Sequence, residues 1–201
     1  MKLFHSQYTR SGRPRWALEE IGAPYECERV SLMKGEHKKP EFLAINPMGA
    51  VPALIDGDLT LTESSAIVMH LADKFPEAKL LPALGTNARA ECYRWIVYVP
   101  ASLDPVLMTL TMQTRFLPED KRSPAVVEQA KQQLGNIMKV LENAIGGRPF
   151  IVGDSFTAAD IVLGSAGGWL GFLGMLGDYP AFAAYFQGLA QRPAYVRAHA
   201  D

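Results

Sequence analysis

The chain has 201 residues, 48% of them apolar, and a formal net charge of −1. That length holds one large domain or two small ones, and the near-neutral charge excludes the basic face that a nucleic-acid partner requires. Cys27 and Cys92 lie far apart without CxxC spacing, which excludes a dithiol redox motif and a zinc site, so no metal is expected.

Lys2–His5 reads as a short strand, with His5 packed rather than catalytic. No signal or transit peptide is visible before it. Gln7–Gly12 is a polar turn. Pro14, Ala17, Leu18 and Ile21 then recur at the spacing of an amphipathic helix, with Pro14 in its first turn and Gly22 at its end. Pro24 bars continuation, and Tyr25–Leu32 is strand-like. A strand, helix and strand over so short a span predict a right-handed parallel crossover. Lys34–Lys39 is a charged loop.

The stretch from Pro40 to Ser65 organises the rest. Asp56-Gly57-Asp58 separates the apolar runs Ala53–Ile55 and Leu59–Leu61, a strong hairpin signal. Pro52 opens the first strand; it cannot donate to a ladder and leaves the backbone of Val51 free to pair elsewhere. Thr62-Glu63-Ser64-Ser65 leads into a helical stripe of Ile67, Val68, Leu71 and Phe75 that ends at Pro76. Free backbone at Val51, with acid and hydroxyls at a helix start, predicts a polar ledge for a peptide-like ligand carrying a carboxylate.

From Pro82 onward no strand pattern appears. Helices are predicted from Thr86 to about Thr114, kinked or broken at Pro100 and Pro105, and from Pro124 to Ile145, closed by Gly146. A third opens at Thr157 with Asp160 in a capping-box variant and runs to the glycine-rich stretch Gly164–Gly177, and a fourth covers Pro180–Gln191. The expected organisation is an α/β unit over residues 1–76, a linker over 77–85 and an all-α unit over 86–201. The longest apolar run, around Trp169 to Leu176, is too short and too broken by glycines to span a bilayer. A cytosolic chain with reduced thiols is expected.

Four segments in this order resemble the cytosolic glutathione S-transferases over almost the whole chain. They are Trp16–Gly22 with Pro24-Tyr25-Glu26, Asn46–Leu54 followed by Glu63–Ile67, Ser155–Ile161, and Arg192–Tyr195. The resemblance implies a thioredoxin-like N-terminal domain that binds glutathione and a helical C-terminal domain that completes the electrophile pocket. It implies that Val51 pairs its main chain with the cysteinyl backbone of glutathione, with Pro52 cis. It further implies that Glu63 and Ser64 hold the γ-glutamyl end, and that Lys38, with His37 beside it, meets the glycine carboxylate, as in the plant phi class. A cytoplasmic homodimer that uses glutathione as cosubstrate, with no metal, no membrane and no nucleic acid, follows by the same analogy.

The chemistry needs the glutathione thiolate. A free thiol titrates near 8.5, so a hydrogen-bond donor to the sulfur anion, at about 1.5–3 kcal/mol, lowers that value by about one to two units. The N-terminal turn of the first helix offers Tyr8, Thr9, Arg10 and Ser11, and its dipole adds to the effect. Among the family's classes, the catalytic Ser of tau and phi falls on Tyr8, the Ser of theta and delta and the Thr of nu-like enzymes on Thr9, and the Cys of the beta class on Arg10. Ser11 matches the Ser of bacterial Thr-Arg-Ser turns. Thr9 and Ser11 rank ahead of Arg10 and Tyr8, with Ser11 as a plain helix cap the competing reading. The arrangement resembles a bacterial-type, non-Cys transferase. Met112 and Phe116 are the candidates for lining the electrophile pocket. The expected activity is attack of the thiolate on a small hydrophobic electrophile, by conjugation or peroxide reduction. The alternatives are a non-catalytic binding or assembly module, or a glutathione-dependent isomerase, dehalogenase or etherase.

Overall fold

β1 (Lys2–His5) leads through a tight turn into α1 (Gly12–Ile21), and the chain returns as β2 (Glu26–Arg29), parallel to β1. Gly22 ends α1 at a φ of 72°, a conformation that glycine adopts without steric penalty, and its N–H bonds the carbonyl of Leu18. β2 is shorter than expected. It forms the sheet edge, and Tyr25 lies outside the ladder, its hydroxyl donating to Glu19 at 2.8 Å. The computed structural model describes residues 1–200.

After a single helical turn over Glu36–Lys38 come the short α2 (Pro40–Leu43), β3 (Ala53–Asp56), β4 (Leu59–Thr62) and α3 (Ser64–Lys74). The hairpin turns at Gly57, whose φ is +61°, and Asp56 pairs with Leu59. The strand order is β2-β1-β3-β4, with β3 antiparallel to both neighbours. Alternation along the strands sends Phe4 and Ala53 into a cluster with Val30 and Phe42. Leu3 and Leu54, one residue away, are buried on the other side of the sheet. Asp56 accepts from His70 at 2.9 Å and from Lys74, which tie the hairpin to α3. Lys74, then His70, hold its carboxyl below the usual carboxylate range.

α4 (Asn87–Tyr98), α5 (Asp104–Thr111), α6 (Pro124–Ile145), α7 (Ala158–Leu173) and α8 (Pro180–Ala190) form a second unit, residues 84–190. Thr86 caps α4 and Ser123 caps α6. The kink or break expected at Pro100 and Pro105 is met by a widened turn over Val99–Leu103, and a second covers Met112–Phe116, so the helical path is continuous from Asn87 to Phe116. By length and composition this run matches a membrane span, but half of its most apolar window is buried, as in a core helix.

α7 does not stop at its glycines. It runs to Leu173, and a Cβ at Gly167 would lie 2.2 Å from the Phe186 ring of α8, so that glycine serves close packing and not termination. Glycine there is the packing contact between the helices. The Asp160 capping box forms. The buried Asp160 carboxylate accepts from the N–H groups of Ile151 and Thr157, both at 2.8 Å, and from the hydroxyls of Thr157 at 3.0 Å and Tyr185 at 2.8 Å. Burial pushes the Asp160 carboxyl up.

α9 (Pro193–His199) departs from the expected boundary. It belongs with residues 1–83, not with the helical unit. The reason is its contact with α1: Tyr195 meets Trp16 edge-on at 4.9 Å, Arg192 forks onto Glu20 at 2.6 and 2.8 Å, and Arg197 bonds Glu19 at 2.7 Å.

Candidate active site

The sheet register gathers the candidate residues of residues 1–83. His5, the last residue of β1, pairs with Arg29, the last of β2. Phe4 pairs with Ala53, and Ala53 with Thr62. The turn Ser6–Ser11, the loop after β2, the Val51–Pro52 bond and the start of α3 therefore leave the sheet at one end. The carboxyl ends of parallel strands, where the strand order reverses, are where open α/β sheets bind ligands.

Each piece of this end has a local cause. The Val51–Pro52 peptide is cis. The Val51 side chain packs against the Phe4–Phe42 cluster. Its backbone lies outside the ladder. Asn46 shapes the approach: its amide donates to the carbonyl of Ala50 at 2.6 Å, and its side-chain oxygen accepts from Met48 N–H at 3.1 Å. Glu63 is exposed and held at a φ of +67°. Such backbone is sparsely populated by non-glycine residues and clusters at functional sites. Ser64 is buried, and the buried Arg13 of α1 donates to its hydroxyl at 3.3 Å. Lys38 is exposed and its ammonium reaches the carbonyl of Met48 at 3.4 Å. His37 is half-buried, its Nδ1 without a hydrogen-bond partner among the described residues. Both rest against Gly49, where a Cβ would come within 2.8 Å of the His37 carbonyl and the Lys38 ammonium.

The turn separates the four thiolate candidates. Tyr8 is 96% exposed at a φ of +60°. Arg10 is half-buried. Ser11 is fully buried and does not cap α1. Its Oγ lies 3.1 Å from Ser6 N, 2.8 Å from His5 Nδ1, 2.7 Å from Thr9 Oγ1 and 3.0 Å from the Ser6 carbonyl. Thr9 is half-buried, its hydroxyl 2.7 Å from the Ser6 carbonyl and accepting from Ser11 N–H at 3.2 Å.

His5, Arg13 and Asn46 were not singled out by sequence reasoning as parts of the site. A strand-end histidine, a helical arginine and an asparagine before proline are each ordinary where they stand. An open cleft of about 330 Å³ beside the turn, lined by Ser6, Gln7, Arg29, Ser31 and Lys34 among others, was also not foreseen. Met112 and Phe116, in the helical unit, begin and end the second widened turn and are 37% and 64% exposed.

Residues 1–73 match the family model for the glutathione S-transferase N-terminal domain, and residues 124–188 that for the glutathione S-transferase C-terminal domain. The chain belongs to the glutathione S-transferase family. Glutathione S-transferase 3 of Zea mays is 33% identical over 188 residues, 90% of this chain and 84% of the relative. A sphingomonad glutathione S-transferase, solved in complex with glutathione, matches with a TM-score of 0.86 and 33% identity over 100% of this chain and 98% of its own. The bacterial beta class glutathione S-transferase of Sphingomonas chungbukensis matches with a TM-score of 0.85, 32% identity and the same coverage. The four-stranded mixed sheet with its helices, followed by an all-helical unit, is the glutathione S-transferase fold.

Proposed function

We propose that this glutathione S-transferase binds glutathione along the ledge at one end of its sheet and holds the sulfur as a thiolate by a hydrogen bond from Thr9. In this reading the Val51 main chain pairs with the cysteinyl backbone, Glu63 and Ser64 hold the γ-glutamyl end, and Lys38, assisted by His37, meets the glycine carboxylate. Arg10 and the N-terminus of α1 add positive potential beside the sulfur. The thiolate attacks a small hydrophobic electrophile in conjugation or peroxide reduction, with Met112 and Phe116 as the apolar contacts. A cytoplasmic homodimer belongs to the same proposal.

The observation that carries the choice of donor is the difference in exposure between the two hydroxyls. Ser11 is fully buried, whereas Thr9 is half-buried and its internal partners, the Ser6 carbonyl and Ser11 Oγ, are both neutral. A charge-assisted bond is roughly twice as strong as a neutral one, so a sulfur anion competes successfully for the Thr9 proton. At a thiol pKa near 8.5 about 3% of glutathione is thiolate at pH 7; a bond of about 1.5–3 kcal/mol raises that to roughly a quarter to three quarters.

The test is calorimetric binding of glutathione with the ultraviolet thiolate band of the complex followed against pH. Wild type should bind and titrate well below 8.5. Thr9→Val should raise the bound thiol by about one to two units and cut kcat/KM at pH 7 about tenfold, while Thr9→Ser retains both. No binding at millimolar glutathione would favour a non-catalytic module. Binding with an unshifted thiol would refute the donor assignment.

A further inference from the structure

The hydroxyls of Thr9 and Ser11 each carry one proton and two lone pairs, so the direction of every bond in the turn follows once one is fixed. Arg15 fixes it. Its Nη1 lies 3.4 Å from His5 Nε2, and a guanidinium only donates. His5 Nε2 is therefore the acceptor, and in the neutral ring the proton sits on Nδ1. Nδ1–H then donates to Ser11 Oγ at 2.8 Å. Ser6 N–H donates to the same oxygen at 3.1 Å, which fills both of its lone pairs. Ser11 must spend its proton outward, and the nearer acceptor is Thr9 Oγ1 at 2.7 Å, against 3.0 Å for the Ser6 carbonyl. Thr9 Oγ1 accepts that proton and the Ser11 N–H. Its own proton is left for the Ser6 carbonyl, 2.7 Å away, or for a ligand.

We infer that His5 is a positioning residue for the bound thiolate: it orients Ser11 so that Thr9 cannot donate inward, and Arg15 selects the His5 tautomer that does so. The inference rests on the reading of Thr9 as the sulfur donor. With the opposite tautomer, Nδ1 would accept the Ser11 proton, leave a lone pair on Ser11 Oγ, and draw the Thr9 hydroxyl inward. The relay moves no proton. The thiol proton leaves to solvent, and the Thr9 hydrogen swings from the Ser6 carbonyl to the sulfur. Bonds aligned head to tail also polarise one another by about 10–30% each, which makes Thr9 the better donor.

The experiment has two parts on the intact protein. The ¹⁵N shifts of the His5 ring in wild type should report a neutral ring protonated on Nδ1. The thiol titration and glutathione affinity are then compared in wild type, His5→Phe and His5→Asn, with folding checked by circular dichroism. His5→Phe should raise the bound thiol by about one unit and lower kcat/KM at pH 7 about tenfold, with glutathione affinity within about twofold of wild type. His5→Asn, whose amide N–H can stand near Nδ1–H, should recover most of the shift. A proton on Nε2 in wild type overturns the inference whatever the thiol does, and serves if His5→Phe fails to fold. A lowered wild-type thiol that His5→Phe leaves unmoved overturns the relay alone. A wild-type thiol at its ordinary value refutes the Thr9 reading and the relay with it. Weaker glutathione binding without a thiol shift makes His5 structural only.

Discussion

Ser11→Ala removes the acceptor of two donors, the part-buried Ser6 N–H and the buried His5 Nδ1–H, and the donor to Thr9. An unsatisfied buried polar group costs about 1–3 kcal/mol. The variant should therefore melt several degrees lower in thermal denaturation, a loss that a hydroxyl facing only ligand would not show. In the sequence Thr9 and Ser11 stand on an equal footing as donors. Both are small hydroxyl residues in one turn, and which points inward depends on His5, a residue legible only as the end of a strand. Val51, Pro52, Glu63 and Ser64 were legible because Asp-Gly punctuation and the proline fix a hairpin, and a hairpin fixes what stands at its ends. Arg13 was not legible, since its bond to Ser64 crosses from one helix to the start of another.

Among the elements, α7 and α8 are held at a distance set by one hydrogen atom. Gly167→Ala drives a methyl into the Phe186 ring, and overpacking of this kind costs about 1–3 kcal/mol. Denaturant melts should show a midpoint lowered by that loss divided by the slope, with the slope unchanged, and Gly171→Ala, with open space at its Cβ, should show no loss or a small gain. The glycines of α7 read from sequence as the end of a helix, because glycine weakens an isolated one; tertiary contact overrides that preference. The widened turns at Val99–Leu103 and Met112–Phe116 were likewise hidden. Proline announces that a helix must adjust, but not whether it breaks or takes an extra residue into the turn. Caps fared better, since Thr157 with Asp160 and Gly22 each act through neighbours in sequence.

Across the whole molecule, the division at the chain's end was the feature least visible beforehand, since Arg192-Pro193 only marks a stop and nothing local says which unit the next helix joins. Its contacts with α1 carry a pH signature. Burial opposes ionisation of Glu19, but bonds from Arg197 and Tyr25 outweigh it and hold the carboxyl below its usual value. Burial, then the bond to Glu19, pushes the Tyr25 hydroxyl up to about 12. A depressed carboxyl stabilises the fold above its unfolded pKa, near 4.3, and that contribution is lost as pH falls through the folded value. Glu19→Gln should accordingly melt below wild type at pH 7, and the gap should narrow below about pH 4.3 and close once pH is below the folded value; a gap that is constant with pH would show that Glu19 acts by packing alone. The placement of α9 also bears on how the protein is made. Trp16 and Glu20 wait for Tyr195 and Arg192, partners separated from them by nearly the full chain. The ribosome releases the sheet and α1 first, yet α1, already packed against α3, lacks its bonds to α9 until residue 199 has emerged. A helix made early is thus finished late, and a nascent chain stalled in the helical unit still lacks the contacts of α9 with Trp16, Glu19 and Glu20.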